Sequence, residues 1–171
     1  MRLVPEAISS GSVFSGEDEE DIIDAGFCYV AESKALSYLA RAEQSRFNLT
    51  RKLGAKGIEK RHIENALDYL EREGSLSDTR FARAWLDTRK INHTEGRSRL
   101  ASELAFRGIA REVADAALDE FFSENSEEAI CKKALEKCSR LGMREEKIIN
   151  YLLRHGFSRK MIRAASGEGG L

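Results

Sequence analysis

Apolar residues recur along most of the chain at positions i, i+3, i+4 and i+7, which is the spacing of one face of an α-helix. Residues 60 to 72 show the pattern clearly, with Ile63, Ala66, Leu67 and Leu70 on one face and charged residues between them. The single proline is Pro5, so nothing after it breaks a helix in the way that proline does. The pattern predicts an all-α protein with about nine helices.

Three of the predicted helices end in the same short motif. Its copies read LGAKGI, LAFRGI and LLRHGF, and their glycines are Gly57, Gly108 and Gly156. A glycine here ends a helix in the left-handed conformation, a basic or imidazole side chain faces the negative end of the helix dipole, and the apolar residue closes the turn. Three copies at nearly equal spacing predict an internal repeat of about fifty residues.

The repeat divides the chain into units of three helices. One such unit buries too little surface to be stable alone, whereas stacked units share their apolar faces. We therefore expect an elongated, curved tandem array of three helix-turn-helix-like repeats. The expected segments are an acidic, flexible arm (1–30), repeat 1 (31–74), repeat 2 (75–123), repeat 3 (124–166) and a flexible tail (167–171).

Capping residues mark several helix starts. Ser45 is predicted to cap a helix that begins at Arg46, and Ser77 or Asp78 to cap the next unit's first helix. At the start of the third unit, Asn125 and Glu128 have the spacing of a capping box.

Charge is distributed unevenly along the chain. The formal net charge is −1, but residues 1 to 30 carry −6 and residues 31 to 171 carry +5. The mildly basic repeats suit an anionic partner, such as nucleic acid or an acidic protein surface.

Candidate catalytic chemistry is sparse. His62, His93 and His155 occur in unrelated settings, and His155 takes the helix-end position that Lys56 and Arg107 fill in the other repeats. The three cysteines, Cys28, Cys131 and Cys138, lack the spacing of a disulfide framework or metal site and are predicted to be buried thiols. No phosphate-binding loop or nucleophile motif occurs, so neither an enzyme nor a cofactor or metal is expected. No apolar run approaches the length of a membrane span, and a cytoplasmic location is expected.

Basic residues on the predicted helix surfaces are the candidates for partner binding. Solvated arginines balanced by neighbouring Glu and Asp are the alternative interpretation. Phe81 and Trp85 could form an aromatic platform beside these arginines, although their helical spacing favours the core. The candidates are Arg41, Arg46, Arg80, Arg89, Arg97, Arg99 and Arg107.

Three blocks of the sequence have a specific order and spacing: YLARAEQSRFNLTRKLGAKG from Tyr38, SLSDTRFARAWLDTR from Ser75 and GRSRLASELAFRGI from Gly96. These blocks resemble the RecX family of RecA regulators. The resemblance covers about residues 34 to 165. The sequence departs from the family pattern at Ala42 and Gln44, where arginine and histidine are usual, and at Arg97, where proline is common.

The resemblance implies a non-enzymatic, monomeric regulator that binds RecA and its filament on single-stranded DNA. It would inhibit ATP hydrolysis, co-protease activity and strand exchange, in recombination and DNA repair, and contact single- or double-stranded DNA only weakly. Two alternatives stay open: a tandem helix-turn-helix DNA-binding protein, and a helical-repeat scaffold for another protein.

Overall fold

The computed structural model describes residues 16–90 and 94–167, and every regular element within these ranges is an α-helix. The predicted all-α class is therefore confirmed. The chain forms two compact units, Met1–Ser77 and Asp78–Leu171. The helices are α1 (Gly16–Leu39), α2 (Arg46–Gly54), α3 (Lys60–Arg72), α4 (Asp78–Arg89), α5 (Arg97–Phe106), α6 (Arg111–Glu124), α7 (Glu127–Arg140), α8 (Glu145–Arg154) and α9 (Arg159–Ala165).

The three predicted glycine turns have the same backbone geometry. Gly57, Gly108 and Gly156 have φ angles of 78°, 78° and 91°, in the left-handed region. In each turn the residue after the glycine donates its backbone N–H to the carbonyl of the motif's leucine, at 3.4, 3.1 and 3.2 Å. These bonds satisfy carbonyls that the helix end leaves free, as in a Schellman motif. The internal repeat is thus visible in the hydrogen bonds as well as in the sequence.

Apolar side chains gather into three separate cores, one for each set of three helices. The leucine of each turn motif, Leu53, Leu104 or Leu152, is completely buried in one of them. The first core draws on α1, α2 and α3, the second on α4, α5 and α6, and the third on α7, α8 and α9. The helical repeat architecture therefore rests on the periodic apolar positions of the sequence.

Helix α1 begins at Gly16, whereas helical structure was expected only from residue 31. Its N-terminal half is fixed to α3 by charge: Asp24 accepts hydrogen bonds from both terminal nitrogens of Arg61, at 2.9 and 2.8 Å, and lies 3.2 Å from Nε2 of the buried His62. Phe27 stacks on the His62 ring. Residues 1–15 and 168–171 lie outside the described residues, and the predicted division into arm, repeats and tail stays a prediction.

One of the predicted helix caps is found and another is different. Ser45 accepts a hydrogen bond from the backbone N–H of Asn48, as expected of an N-cap. Helix α4 begins at Asp78, and the cap predicted at Ser77 or Asp78 stays a prediction. At the third unit the predicted capping box of Asn125 is wrong, because Ser126 is the N-cap of α7 and accepts from the N–H of Ala129. Asn125 instead ends α6 and donates its side-chain amide to the carbonyl of Phe121.

Within the second compact unit, the loop before α5 packs directly on the turn after α8. The N–H of Gly96 donates to the carbonyl of His155 at 2.8 Å, and the N–H of Arg97 donates to Oε1 of Glu127. A Cβ on Gly96 would lie 2.6 Å from the carbonyl oxygen of Gly156. The junction is therefore a contact between backbones that leaves no room for a side chain at either glycine.

Candidate partner-binding surface

Helices α4 and α5 bring three of the seven candidate arginines together. Arg89 ends α4, and Arg99 and Arg107 lie on α5 and at its C-cap, on either side of Glu103 at i, i+4 spacing. With Trp85 and Glu95 they form a group that we name the arginine cluster. The structure therefore supports grouping these three candidates, which are separated by up to eighteen positions in the sequence.

Trp85 supplies the aromatic centre of the arginine cluster. The guanidinium carbons of Arg89 and Arg107 lie 4.9 and 4.6 Å from its ring centroid, within range of a cation–π interaction. Arg89 also pairs with Glu95 at 3.3 Å. Trp85 packs partly against the second core, and Phe81 belongs to that core. The core position that helical spacing favoured is therefore found for Phe81. Trp85 both packs against the core and contacts the guanidiniums of Arg89 and Arg107.

Glu103 holds two of the arginines in place. Arg107 donates to its Oε2 and to its backbone carbonyl, at 2.7 and 2.6 Å, and Arg99 pairs with its Oε1 at 2.7 Å. The hydrogen bond from Arg107 lowers the pKa of the Glu103 carboxyl, partial burial opposes this, and the positive charges of Arg107, Arg99 and Arg89 lower the pKa further. The carboxylate therefore fixes the guanidiniums before any partner arrives.

We expect Glu103→Gln to remove a pH-dependent part of the stability. Because folding lowers the pKa of Glu103 below its ordinary value of 4.5, its contribution is present above that value and is lost as the pH falls through the folded-state pKa. Urea unfolding should therefore show a larger difference between wild type and variant at about pH 7 than at about pH 3. Glu136→Gln, at an exposed position of α7, is the control; a difference that does not change with pH would contradict the expectation.

Other candidate arginines are held elsewhere by carboxylates. Arg97 pairs with Asp119 of α6 at 2.8 Å, and Arg46 pairs with Asp68 and Glu71 of α3 at 2.6 and 2.7 Å. Partial burial opposes the charged form of Arg46, but these carboxylates outweigh it and raise its pKa. These ion pairs are of the same kind as those within the arginine cluster, and Arg46 and Arg97 stay candidates for partner binding.

Arg41 and Arg80 are exposed. Arg80 lies near the start of α4 in the second compact unit, and Arg41 follows α1 in the first. Neither position assigns a role by itself, and both arginines stay candidates for partner binding.

The sequence interpretation missed Phe106, the last residue of α5. Its side chain is 76% exposed beside the arginine cluster. A signal was present, because Leu100 and Leu104 define the buried side of α5 and Phe106 does not follow their i, i+4 spacing. It was read only as a variable position of the turn motif.

The histidine and cysteine side chains that the structure describes take part in helix ends or in packing. Nδ1 of His155 donates to the carbonyl of Tyr151 at 2.8 Å, since a carbonyl can only accept, and this matches the helix-end role predicted for it. Cys131 and Cys138 are buried as predicted, and burial raises the pKa of Cys131 to about 11, with help from Glu127 and Glu128. Cys28 is only half-buried, and His93 lies outside the described residues.

In the part of the chain that the structure describes, no group of three or more His, Cys, Asp or Glu side chains is arranged to hold a metal ion. No helix in residues 16–90 and 94–167 has both the length and the apolar character needed to span a bilayer.

Each three-helix unit contains its own copy of the glycine turn, and the second unit carries the arginine cluster. Such repetition defines a helical-repeat protein. Residues 31–70 match the family model described as the first three-helix domain of RecX, and residues 77–118 match the second. A regulatory protein RecX from Treponema pallidum is 41% identical over 136 residues, which is 80% of this chain and 83% of that protein. The chain belongs to the RecX family of regulatory proteins.

A further relative agrees with this assignment, and two solved structures have a similar fold. A regulatory protein RecX from Xanthomonas axonopodis is 36% identical over 78% of this chain and 83% of its own. A crystal structure of regulatory protein RecX superposes with a TM-score of 0.84 at 21% identity, covering 92% of this chain and 81% of the other. RecX from Lactobacillus salivarius gives a TM-score of 0.73 at 22% identity, with 84% and 97% covered. The two structures share the fold of this chain.

Proposed function

We propose that this chain is a non-enzymatic regulator that binds RecA and its filament on single-stranded DNA. Binding would inhibit ATP hydrolysis, co-protease activity and strand exchange in recombination and DNA repair. The proposal takes its partner from the family and its contact site from the arginine cluster. RecA is the proposed partner because the sequence blocks named above resemble the RecX family, and that resemblance implies a regulator of RecA.

The fixed guanidiniums of the arginine cluster are the observation that supports the proposal most. Arg99 and Arg107 share one carboxylate, Glu103, and Arg107 also lies over Trp85, so little side-chain freedom remains to be lost on binding. Planar guanidiniums held in this way can form paired hydrogen bonds with acidic groups of a protein or with phosphates. The repeats supply further weak contacts, whose effects combine when several units bind one polymer.

The test is RecA ATPase activity on single-stranded DNA, titrated with the full chain. The proposal expects the steady-state rate to fall with increasing chain and to approach a plateau. An unchanged rate over a range of chain concentrations that spans the RecA concentration would contradict it. Mixing the chain with single-stranded DNA before RecA is added controls for competition for DNA. If the chain inhibited only by sequestering DNA, supplying more DNA would restore the rate.

The alternatives predict different results in the same assays. A tandem helix-turn-helix DNA-binding protein would bind duplex DNA tightly with base preference in the absence of RecA, and its affinity would fall steeply with salt. A scaffold for another protein would bind neither DNA nor RecA. The mildly basic repeats favour RecA over a duplex of high charge density.

A further inference from the structure

Phe106 is exposed on a helix whose other side is fully used by the core. The buried residues of α5 are Leu100 and Leu104, whereas Phe106 is 76% exposed at the last position of the helix. Such exposure means that the ring adds little to folding, since the stabilisation from an apolar side chain scales with the area removed from water. A large apolar side chain left in water gains most when a second molecule covers it.

The turn motif itself does not require an aromatic residue here. The equivalent positions, two residues before the turn glycine, are Ala55 in the first repeat and Arg154 in the third. Both turns form with the same hydrogen bonds as the turn at Gly108. The aromatic ring is therefore particular to the second repeat, the one that carries the arginine cluster.

The neighbours of Phe106 are cationic groups that are already bonded to a carboxylate. Arg99 lies seven residues earlier, on the same face of α5, and Arg107 is the next residue. Both are bound to Glu103, which lies between them and is itself only 19% exposed. The exposed ring thus lies on the helix face that carries Arg99 and Glu103, next in sequence to Arg107.

We propose that Phe106 is the apolar anchor of the partner-binding surface and enters an apolar pocket with an acidic rim on the partner protein. This inference rests on the proposed function and names the chemistry of the partner's site. The charges favour a protein over a nucleic acid, because Arg99, Arg107 and Glu103 together carry a net charge of only +1. Binding to a nucleic acid depends on neutralising its densely spaced phosphates. An aromatic residue at the centre of a polar rim containing arginine is the composition of an interaction hot spot.

The test compares three variants of the full chain in direct binding to RecA, with and without single-stranded DNA. Phe106→Ala should weaken binding by about 30-fold or more, the effect of losing a hot-spot residue. Phe106→Leu should stay within about fivefold of wild type, because a pocket accepts another apolar side chain of similar size. Leu141→Ala is the matched control: Leu141 is 70% exposed but lies at the end of α7, outside the arginine cluster, and its loss should change binding by less than about twofold.

Each other outcome has a defined meaning. If wild type binds RecA and Phe106→Ala binds equally well, the anchor is wrong and the proposed function stands. If Phe106→Leu is as weak as Phe106→Ala and the loss appears only with DNA, the ring stacks on a base and the protein pocket is wrong. If wild type does not bind RecA in either state, both the proposed function and the anchor are overturned. Unchanged far-ultraviolet circular dichroism in all three variants separates these results from misfolding.

Discussion

Gly156→Ala is expected to destabilise the second compact unit by about 2–4 kcal/mol. Two effects add. A side chain at a φ of 91° costs about 1 kcal/mol, and crowding of a closely packed site costs about 1–3 kcal/mol. The new Cβ would lie 2.7 Å from Cβ of Arg99 and would also meet the Arg99 backbone, which cannot move away without shifting α5. Urea unfolding followed by circular dichroism measures the loss.

Two other glycines separate these effects. Gly142 also has a left-handed φ, 66°, but a Cβ there would meet nothing within 4 Å, so Gly142→Ala should show the backbone cost of about 1 kcal/mol alone. Gly96 has an ordinary φ of −83° but would place its Cβ against the Gly156 carbonyl, so Gly96→Ala should show the crowding alone. Equal losses for Gly156→Ala and Gly142→Ala would mean that the junction between the loop before α5 and the turn after α8 does not form as described.

The second large effect is expected from reversing charge at Arg80 and Arg99. If both arginines face an acidic surface of RecA, Arg80→Glu with Arg99→Glu replaces two attractions by two repulsions. Losing one partner of a hydrogen-bonded charge pair that is buried in an interface costs about 2–5 kcal/mol. If binding buries both arginines against acidic groups, inhibition of RecA ATPase should disappear at concentrations where wild type inhibits fully. Arg89 is a poor target for this purpose, because it is only 22% exposed, whereas Arg99 is 48% exposed. Arg99→Glu also places a second carboxylate beside Glu103, so unchanged far-ultraviolet circular dichroism must show that the double variant is folded.

The matched control is Arg140→Glu with Arg163→Glu, which makes the same change in net charge at two exposed positions of α7 and α9. This control should inhibit with the same half-maximal concentration as wild type. If the Arg80→Glu with Arg99→Glu variant inhibits as strongly as wild type, neither residue belongs to the binding surface. The salt dependence adds a second measurement: if the arginines contact phosphates, their reversal should flatten the dependence of affinity on salt.

The glycine motif allowed the fold to be predicted, because helix ends are set by local chemistry. A glycine, the basic residue before it and the apolar residue after it act within one turn, so their effect is visible in a short stretch of sequence. The N-terminal half of α1 was missed for the opposite reason. Asp24 is held by Arg61, thirty-seven residues away, and a composition rich in acids and glycine gives no sign of that contact.

The arginine candidates show a similar limit. The sequence offered arginines as candidates, and the i, i+4 spacing of Arg99, Glu103 and Arg107 on one helix gave a signal for their ion pairs. It could not distinguish Arg89, which lies over Trp85, from Arg46, which is held by two carboxylates of another helix. That difference depends on which helices pack together, and the order of residues along the chain does not show which helices are in contact.

The three separate cores also bear on how the molecule loses its structure. Small cores of this kind can melt one after another, so hydrogen exchange and denaturant titrations should report several cooperative blocks in place of a single all-or-none event. A ligand that bridges the blocks would couple their melting and sharpen the transition. The breadth of the calorimetric unfolding peak, measured with and without the bound RecA filament, would then report how many of these cooperative blocks the filament contacts at once.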